Sequence, residues 1–434
     1  MAGGGGADGV PADCEGTDGV SADCEGGDTG AIGAAADLAE TLLWPNALQT
    51  ESSGVLPAGL RPALARAGLF ALAAPGGADP VTFRAVQEHL AGGCLASAFV
   101  WNQHHSPLRL VATSPNRLVR DRWLAALTSG DALAAVAFSQ LRRPDGGVRA
   151  KPVRSNEAGA AGEGSAGGAG GGARAGAVAQ GRDHGGGGYV LEGIAPWVTS
   201  WTLADLLVVG ALAPPTPSAP TGRVVWGAID LSAITEPAQR SASAPAVTPP
   251  LAGIVAAPLP LAVLGATRTV ALRFEGFRLH ETDVVCEESR EDFDARDRLA
   301  TASPNSLALG VATRATRLLA ERHPSAAGEL AAALGDCRDA GALLLTETAA
   351  LPPGSTPDIE LLEALRANRV RGLLLASQAA TALVAASGGR AIAATDPAQL
   401  LHREAAFLLV QAQTPPTREA TLAALLAAPA GKVR

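Results

Sequence analysis

Five candidate helix starts in this 434-residue chain share one device, a helix-capping side chain followed by proline: Asp79-Pro80, Ser114-Pro115, Ser303-Pro304, Thr356-Pro357 and Asp396-Pro397. Each pair fits a helix start. The polar side chain accepts a free backbone N–H, and proline's missing N–H would be unpaired there anyway. Two of these starts precede residue 130 and three follow residue 295, while between them proline gathers in loop-like stretches at 213–220 and 245–250. The interval holds short runs rich in Val, Leu and aromatics: Leu133–Ser139, Tyr189–Glu192, Leu206–Leu212, Arg223–Ile229 and Thr269–Phe274. Turn residues bound them, which predicts antiparallel strands. The chain therefore reads as helices, then a sheet, then helices.

Glycine and acid content set the boundaries. Of 51 glycines, 24 fall in residues 1–30 and 155–188. Residues 1–30 also carry seven acids and no base, so they supply most of the formal charge of −8. This predicts a disordered acidic tail over 1–31, a helical domain over 32–130, a β domain over 131–290 and a helical domain over 291–434. Residues 155–188 read as a flexible insertion between two strands, too poor in apolar side chains to pack. The tail's repeat, Asp8–Gly16 and Asp18–Gly26, lacks the spacing and flanking helices of a calcium loop.

The remaining body is almost neutral, with scattered arginines and only Lys151 and Lys432 as lysines. That leaves no electrostatic footprint for nucleic acid or an anionic membrane. No uninterrupted apolar run reaches spanning length, and residues 252–266 are broken by Pro258 and Pro260. Five cysteines form no CxxC pair and no metal spacing. The odd count, without a basic and apolar leader, predicts reduced thiols in a cytoplasm and no metal site.

Several motifs follow the same order. Gly68-Leu69-Phe70 precedes Pro75-Gly76-Gly77, and Gly130-Asp131 precedes Phe138-Ser139-Gln140. Gly193-Ile-Ala-Pro-Trp197-Val198-Thr199-Ser200 leads to Ala204-Asp205. Gly265 to Leu279 reads as a closing strand, and Leu309-Gly310-Val311-Ala312 opens a helix ending in Glu321-Arg322. Together, over about Leu60 to Thr417, these resemble the acyl-CoA dehydrogenase superfamily of flavoproteins. The resemblance implies a multi-domain α+β fold: an N-terminal α-helical domain, a middle antiparallel β-barrel and a C-terminal four-helix bundle. It also implies FAD, or FMN in its place. Phe138, Ser139 and Gln140 would form the strand-end loop at the flavin, where Ser139 keeps the hydroxyl of the family's Thr-Glu-Pro. Trp197, Val198, Thr199 and Ser200 would wall the flavin ring and hydrogen-bond near it. Arg322 would reach the cofactor's pyrophosphate, although His323-Pro324 replaces the family's Phe-Gly.

The catalytic position departs from the family. A dehydrogenase of this type needs a carboxylate to take the substrate's α-proton. Laying Arg403-Glu404 on the family's Arg-Asp pair puts Ala412-Gln413-Thr414 on its Glu-Gly-Thr, so the base position falls on Ala412. A second family position lies near Ala300, close to Asp294 and Asp297. Gln411 and Gln413 are weaker candidates as hydrogen-bond donors. His402 reads as a surface or capping residue. His104 and His105 end an apolar helix that in the family borders the substrate cavity, and adjacent helix residues point about 100° apart, so at most one faces a site.

The resemblance thus implies a flavin-dependent oxidoreductase acting on the CH–CH group of an acyl thioester such as an acyl-CoA, or of a related small substrate. A reduced-flavin-dependent monooxygenase on the same fold is one alternative, and a catalytically silent scaffold is another. A homodimer or homotetramer is expected, with the long apolar stretch Pro357–Ser387 at its interface, and an electron-transfer or flavin reductase partner.

Overall fold

The structure is a computed structural model that describes residues 22–143, 145–153, 187–234, 251–352, 355 and 357–427. Helix α1 (Ala22–Leu38) passes through a π turn at Ala39–Leu43 into α2 (Trp44–Ser53). The π turn lies just ahead of Pro45, which has no N–H to return to the preceding turn. Four helices follow: α3 (Leu60–Arg66), α4 (Pro80–Gly93), α5 (Leu95–Ala112) and α6 (Arg117–Ser129). The strands are β1 (Ala134–Ala137), β2 (Val148–Val153), β3 (Gly188–Val198), β4 (Leu206–Ala213), β5 (Arg223–Asp230), β6 (Ile254–Pro258), β7 (Val270–His280) and β8 (Val284–Ser289). The chain then returns to helices: α7 (Arg290–Ala302), α8 (Ser306–Ala320), α9 (Pro324–Ala349), α10 (Ile359–Ser387), α11 (Pro397–Leu408) and α12 (Pro415–Ala427). The helix–sheet–helix α+β order of the sequence is the order of the fold.

Several expectations need correction. The tail expected to reach residue 31 gives way earlier, because α1 already begins at Ala22. The first copy of the repeat and residues 155–186 lie outside the described residues, and the second copy, Asp18–Gly26, ends inside α1. Asp79 and Asp396 cap α4 and α11 as expected. The other three proline pairs sit two residues early: Asn116 caps α6, Asn305 caps α8 and Asp358 caps α10, each accepting a backbone N–H. Thr356 itself lies outside the described residues. The residue before a proline is pushed toward extended backbone, so these prolines lead into the helix and a later Asn or Asp starts it.

The eight strands form one sheet in the order β6-β7-β3-β2-β4-β5-β8, with β1 paired to β4. The pairings β1–β4 and β2–β4 are parallel and the rest antiparallel. Among the described residues no ladder joins the edge strands β6 and β8. Strand β4 is buried on both faces: Leu207 and Val209 join a core shared with the helices on either side, while Leu206 and Val208 pack with Trp123, Trp226 and Phe293. This explains its unbroken apolar run.

Helix α10 is long and apolar enough to cross a membrane by length and composition, unlike the sequence expectation. Its place is the middle of the C-terminal helices, where Leu365, Leu373, Ala376, Ala379, Ala380 and Leu383 are buried. Two motifs turn out to be joints. The Asp205 carboxylate accepts from Arg61 of α3 and from the Leu133 N–H, each at 2.9 Å, tying the first helices to the sheet. Gly310 lets α8 cross α4 closely, since a Cβ there would lie 2.3 Å from the Glu88 carbonyl oxygen.

Candidate functional site

The end of β3 carries the most distinctive geometry. Ala195 pairs with Leu272 and Val198 with Val270, so Pro196 and Trp197 together oppose Ala271. The bulge suits Pro196, which has no ladder hydrogen to give. It also turns Trp197 outward, to 57% exposure, while Val198 and Trp201 are buried. Ile194 and Val255, in register across Arg273, are exposed with it. Beyond the strand, the Thr199 hydroxyl lies 3.2 Å from that of Thr269, which lies 2.8 Å from that of Thr267. Ser200 sits in the left-handed region at φ 70, its N–H donating to the Thr267 carbonyl. Its Oγ and the Trp201 Nε1 are buried without a hydrogen-bond partner.

The strand-end residues after β1 divide in role. Phe138 faces inward, its ring 6.2 Å from Trp226 and beneath the Arg142 guanidinium at 5.1 Å. Gln140 is fully buried, and its Nε2 donates to the carbonyls of Ala137 and Gly210 at 3.1 and 2.8 Å. Phe138 is committed to packing, whereas Ser139 Oγ and Gln140 Oε1 are both buried without a partner. The turn is pinned to α7, where Arg142 donates to both oxygens of Asp297 at 2.8 and 2.9 Å. Asp294 is likewise held by Arg290. Neither carboxylate near the family's second base position is free.

The segment after α11 brings the candidate base region against α10. Arg369 of α10 donates to the Gln411 carbonyl at 3.1 Å and to the Ser303 carbonyl at 3.3 Å. Ala412 takes φ 52, a backbone region that favours glycine. Both amide atoms of Gln413 are buried without partners. His402 is exposed on α11, whereas the next inward residue, Glu404, is buried. Burial, with Glu51 adding repulsion, pushes the Glu404 carboxyl up to about 8.

The two histidines of α5 are both buried and ring-to-ring at 5.3 Å. His104 Nδ1 accepts from the Ala134 N–H at 3.1 Å, and burial brings its pKa down to about 4. It is a neutral structural link between α5 and β1. Neither ring nitrogen of His105 has a partner, and burial among Trp101 and Phe83 holds it well below the ordinary imidazole range. Arg322, at the end of α8, spends one donor on the Leu318 carbonyl of its own helix. Nothing in the described residues brings it to Trp197 or Ser139.

Sequence reasoning missed Arg84, Arg109 and Arg369. No sequence signal singles them out, because nearly all of the chain's bases are arginines. The clefts lie elsewhere, one of about 480 Å³ between α10 and α12 at Val370, Leu374 and Ala424 among them. One of about 230 Å³ is bounded by Glu40, Glu88, His89 and Arg314, and one of about 1060 Å³ runs along Pro115, Tyr189 and His280–Glu287. Among the described residues no group of three His, Cys, Asp or Glu is placed to hold a metal ion.

No family model and no curated protein matches the sequence. Solved structures do. Butyryl-CoA dehydrogenase from Megasphaera elsdenii superposes with a TM-score of 0.64 at 16% identity, over 96% of this chain and 100% of that one. Dibenzothiophene monooxygenase from Paenibacillus sp. A11-2 gives 0.65 at 18%, over 91% and 97%. Glutaryl-CoA dehydrogenase from Mycobacterium smegmatis, in complex with FADH2, gives 0.62 at 16%, over 93% and 95%. The chain has the acyl-CoA dehydrogenase fold. At such identities the acyl-CoA dehydrogenase fold is what is shared, and the chemistry has to be argued from this chain's own residues.

Proposed function

We propose that the chain is a flavin-dependent oxidoreductase of a small organic substrate, and that it uses the oxygen-dependent branch of its fold and not α,β-dehydrogenation. The residues present fit a flavin ring. Trp197 offers an outward aromatic face of ring size, and Ser139 Oγ, Ser200 Oγ and Trp201 Nε1 are orphaned polar atoms in the surrounding segments. Trp197 would cover one face and exclude water, while Ser139 and the Thr199 hydroxyl would hydrogen-bond the ring's polar edge. Whether the group is FAD or FMN turns on contacts to its phosphate end, for which Arg322 is the sequence candidate. When bound, the flavin supplies two-electron chemistry and, reduced, reaction with oxygen.

The observation that carries the choice of branch is the segment Gln411-Ala412-Gln413. Ala412 has the backbone angle that suits the glycine of the family's Glu-Gly-Thr, which would move the base position to Gln411. Under either register an amide or a methyl stands where a carboxylate is needed, and neither removes a proton at neutral pH. Asp297 does not replace it, since both of its carboxylate oxygens already accept from the Arg142 guanidinium. The oxygen-dependent route needs a source of reduced flavin, so a flavin reductase or electron-transfer partner belongs to the proposal.

The test is the visible spectrum of the purified protein before and after loading with FAD or FMN and desalting. Bands near roughly 370 and 450 nm, those of any oxidised flavin, are expected. Oxygen consumption with a reductase, and no anaerobic bleaching by a series of acyl-CoAs, supports the oxygen-dependent branch. Bleaching by an acyl-CoA overturns it in favour of dehydrogenation. A folded protein that keeps neither flavin is a silent scaffold.

A further inference from the structure

We propose that Arg84, Arg109 and Arg369 form an anion-recognition site beside the Gln411–Gln413 segment, and that the substrate carries a carboxylate or another small anionic group seated there. The word substrate rests on the proposed function; the anion site does not. Arg84 of α4 donates to the Pro304 carbonyl at 2.9 Å, and Arg369 of α10 donates to the Ser303 carbonyl at 3.3 Å. Adjacent carbonyls of one turn thus bring the two guanidinium groups together. Arg109 of α5 lies 5.3 Å over the ring of Phe83, the residue next to Arg84. Arg369 is 4% exposed, Arg84 is part-exposed, and Arg109 reaches the surface, so the three form a path from outside inward.

None of the three has a carboxylate within ion-pair distance among the described residues. Two other arginines of comparable depth do: Arg314 has Glu40 at 2.7 Å, and Arg142 has Asp297 at 2.8 Å. The fold therefore neutralises enclosed arginines elsewhere and leaves this group uncompensated. Unpaired charge in a protein interior is costly, and carbonyl contacts satisfy donors without cancelling charge. Consistent with that, burial and then neighbouring arginines push Arg84 and Arg369 down to about 10.

Unused polar atoms stand at the same place. Arg369 Nε, Asn305 Nδ2 and both amide atoms of Gln413 are buried without partners. A planar guanidinium fork with a free Nε–H and neighbouring amide donors matches a carboxylate or phosphate. The anion has two possible sources, a group on the substrate or the phosphate of the flavin, and the test separates them.

Full-length protein and its Arg84→Met, Arg369→Met and Arg109→Met variants are melted with and without benzoate, glutarate or inorganic phosphate. Ionic strength is held constant with sodium chloride. Each protein is run flavin-free and flavin-loaded, and the flavin retained after desalting is measured. At least one of the three anions is expected to raise the wild-type melting temperature by roughly 2 °C or more. The rise should shrink at least several-fold in each variant, while flavin retention stays unchanged. Without anion, the two buried variants should melt no lower than wild type, because an uncompensated charge has gone. Arg109→Met, near the surface, keeps the comparison readable if a buried variant fails to fold. No rise with any of the three anions, or equal rises in wild type and variants, overturns the site. Loss of flavin retention in the variants reassigns the arginines to the cofactor's phosphate and overturns the substrate proposal. Failure to retain flavin in wild type sinks the proposed function alone, since the anion response is read on flavin-free protein.

Discussion

Ala412 and the α5 histidines show how single residues divide between chemistry and architecture. Ala412 holds φ 52, where a Cβ meets the following carbonyl, at a cost of about 1 kcal/mol. Ala412→Gly should therefore stabilise the protein by up to that amount, read as a rise in denaturant midpoint at unchanged m-value. An unchanged or lower midpoint would show that the segment relaxes without strain. His104 and His105 look alike in sequence and differ in place. His104 accepts the Ala134 N–H, so His104→Phe strands a buried donor and should cost about 1–3 kcal/mol. His105→Phe loses no hydrogen bond among those present and should change stability by less than about 1 kcal/mol. The motif that holds Trp197 has fixed spacing, and the structure turns that side chain outward, while Phe138 and Gln140 turn inward. A motif gives the backbone's course and says nothing of which side chains turn inward. Arg84 and Arg369 were illegible for another reason: in a chain whose bases are nearly all arginine, a buried one reads like a surface one until the helices are packed.

At the level of elements, the contact of α11 with α5 makes a pH prediction. Glu404 is buried on α11 with the Leu95 N–H, at the start of α5, donating to it, and Phe407 meets Phe99 edge to face at 5.2 Å. Its pKa is about 8 in the folded protein and about 4.5 unfolded. Between those values the folded chain keeps a proton that the unfolded chain has released. Stability therefore falls as pH rises through that window, by at most about 1.4 kcal/mol per unit. His104, about 4 folded against 6.5 unfolded, acts the other way and removes stability as pH falls from 6.5 toward 4. Melting curves from pH 5 to 8 should show Glu404→Gln flattening the alkaline decline and melting higher than wild type at pH 8. An unaltered pH profile would place the titration elsewhere.

Element boundaries also show what the sequence could not convey. Of the missed strands β2, β6 and β8, the last two are the edges of the sheet, while β2 alternates buried Val148 and Ala150 with exposed Arg149 and Lys151 over only a few residues. β8 carries Glu287 and Glu288, whose carboxylates pair with Arg223, Tyr189, Trp226 and Arg296, so its polar residues belong to an edge strand held by side-chain bonds. A hydrophobic pattern identifies strands that are buried and passes over edges that are not.

For the whole molecule, the question is which surface seeks a partner. The sequence pointed to the apolar length of Pro357–Ser387, but α10 spends that surface inside its own bundle, against the helices packed around it. Apart from Ile359 at the start of α10, the uncovered side chains of note are on other elements: Leu343 on α9 at 73% exposure, Val410 at 70%, and Leu422, Leu425 and Leu426 on α12 at 52, 41 and 85%. Large apolar side chains gathered on one exposed helix mark an interaction surface more often than chance does. A second copy of the chain is the expected occupant, giving a homodimer or homotetramer through α12 in place of α10. Light scattering at micromolar concentration should report a dimer or larger for wild type. The double variant Leu425→Asp, Leu426→Asp should run as a folded monomer, because two buried carboxylates at an interface cost more than the apolar contact returns. If wild type is monomeric, the exposed leucines have another use. If the double variant still assembles, the interface lies on a different face, and the next positions to change are Leu343 and Val410.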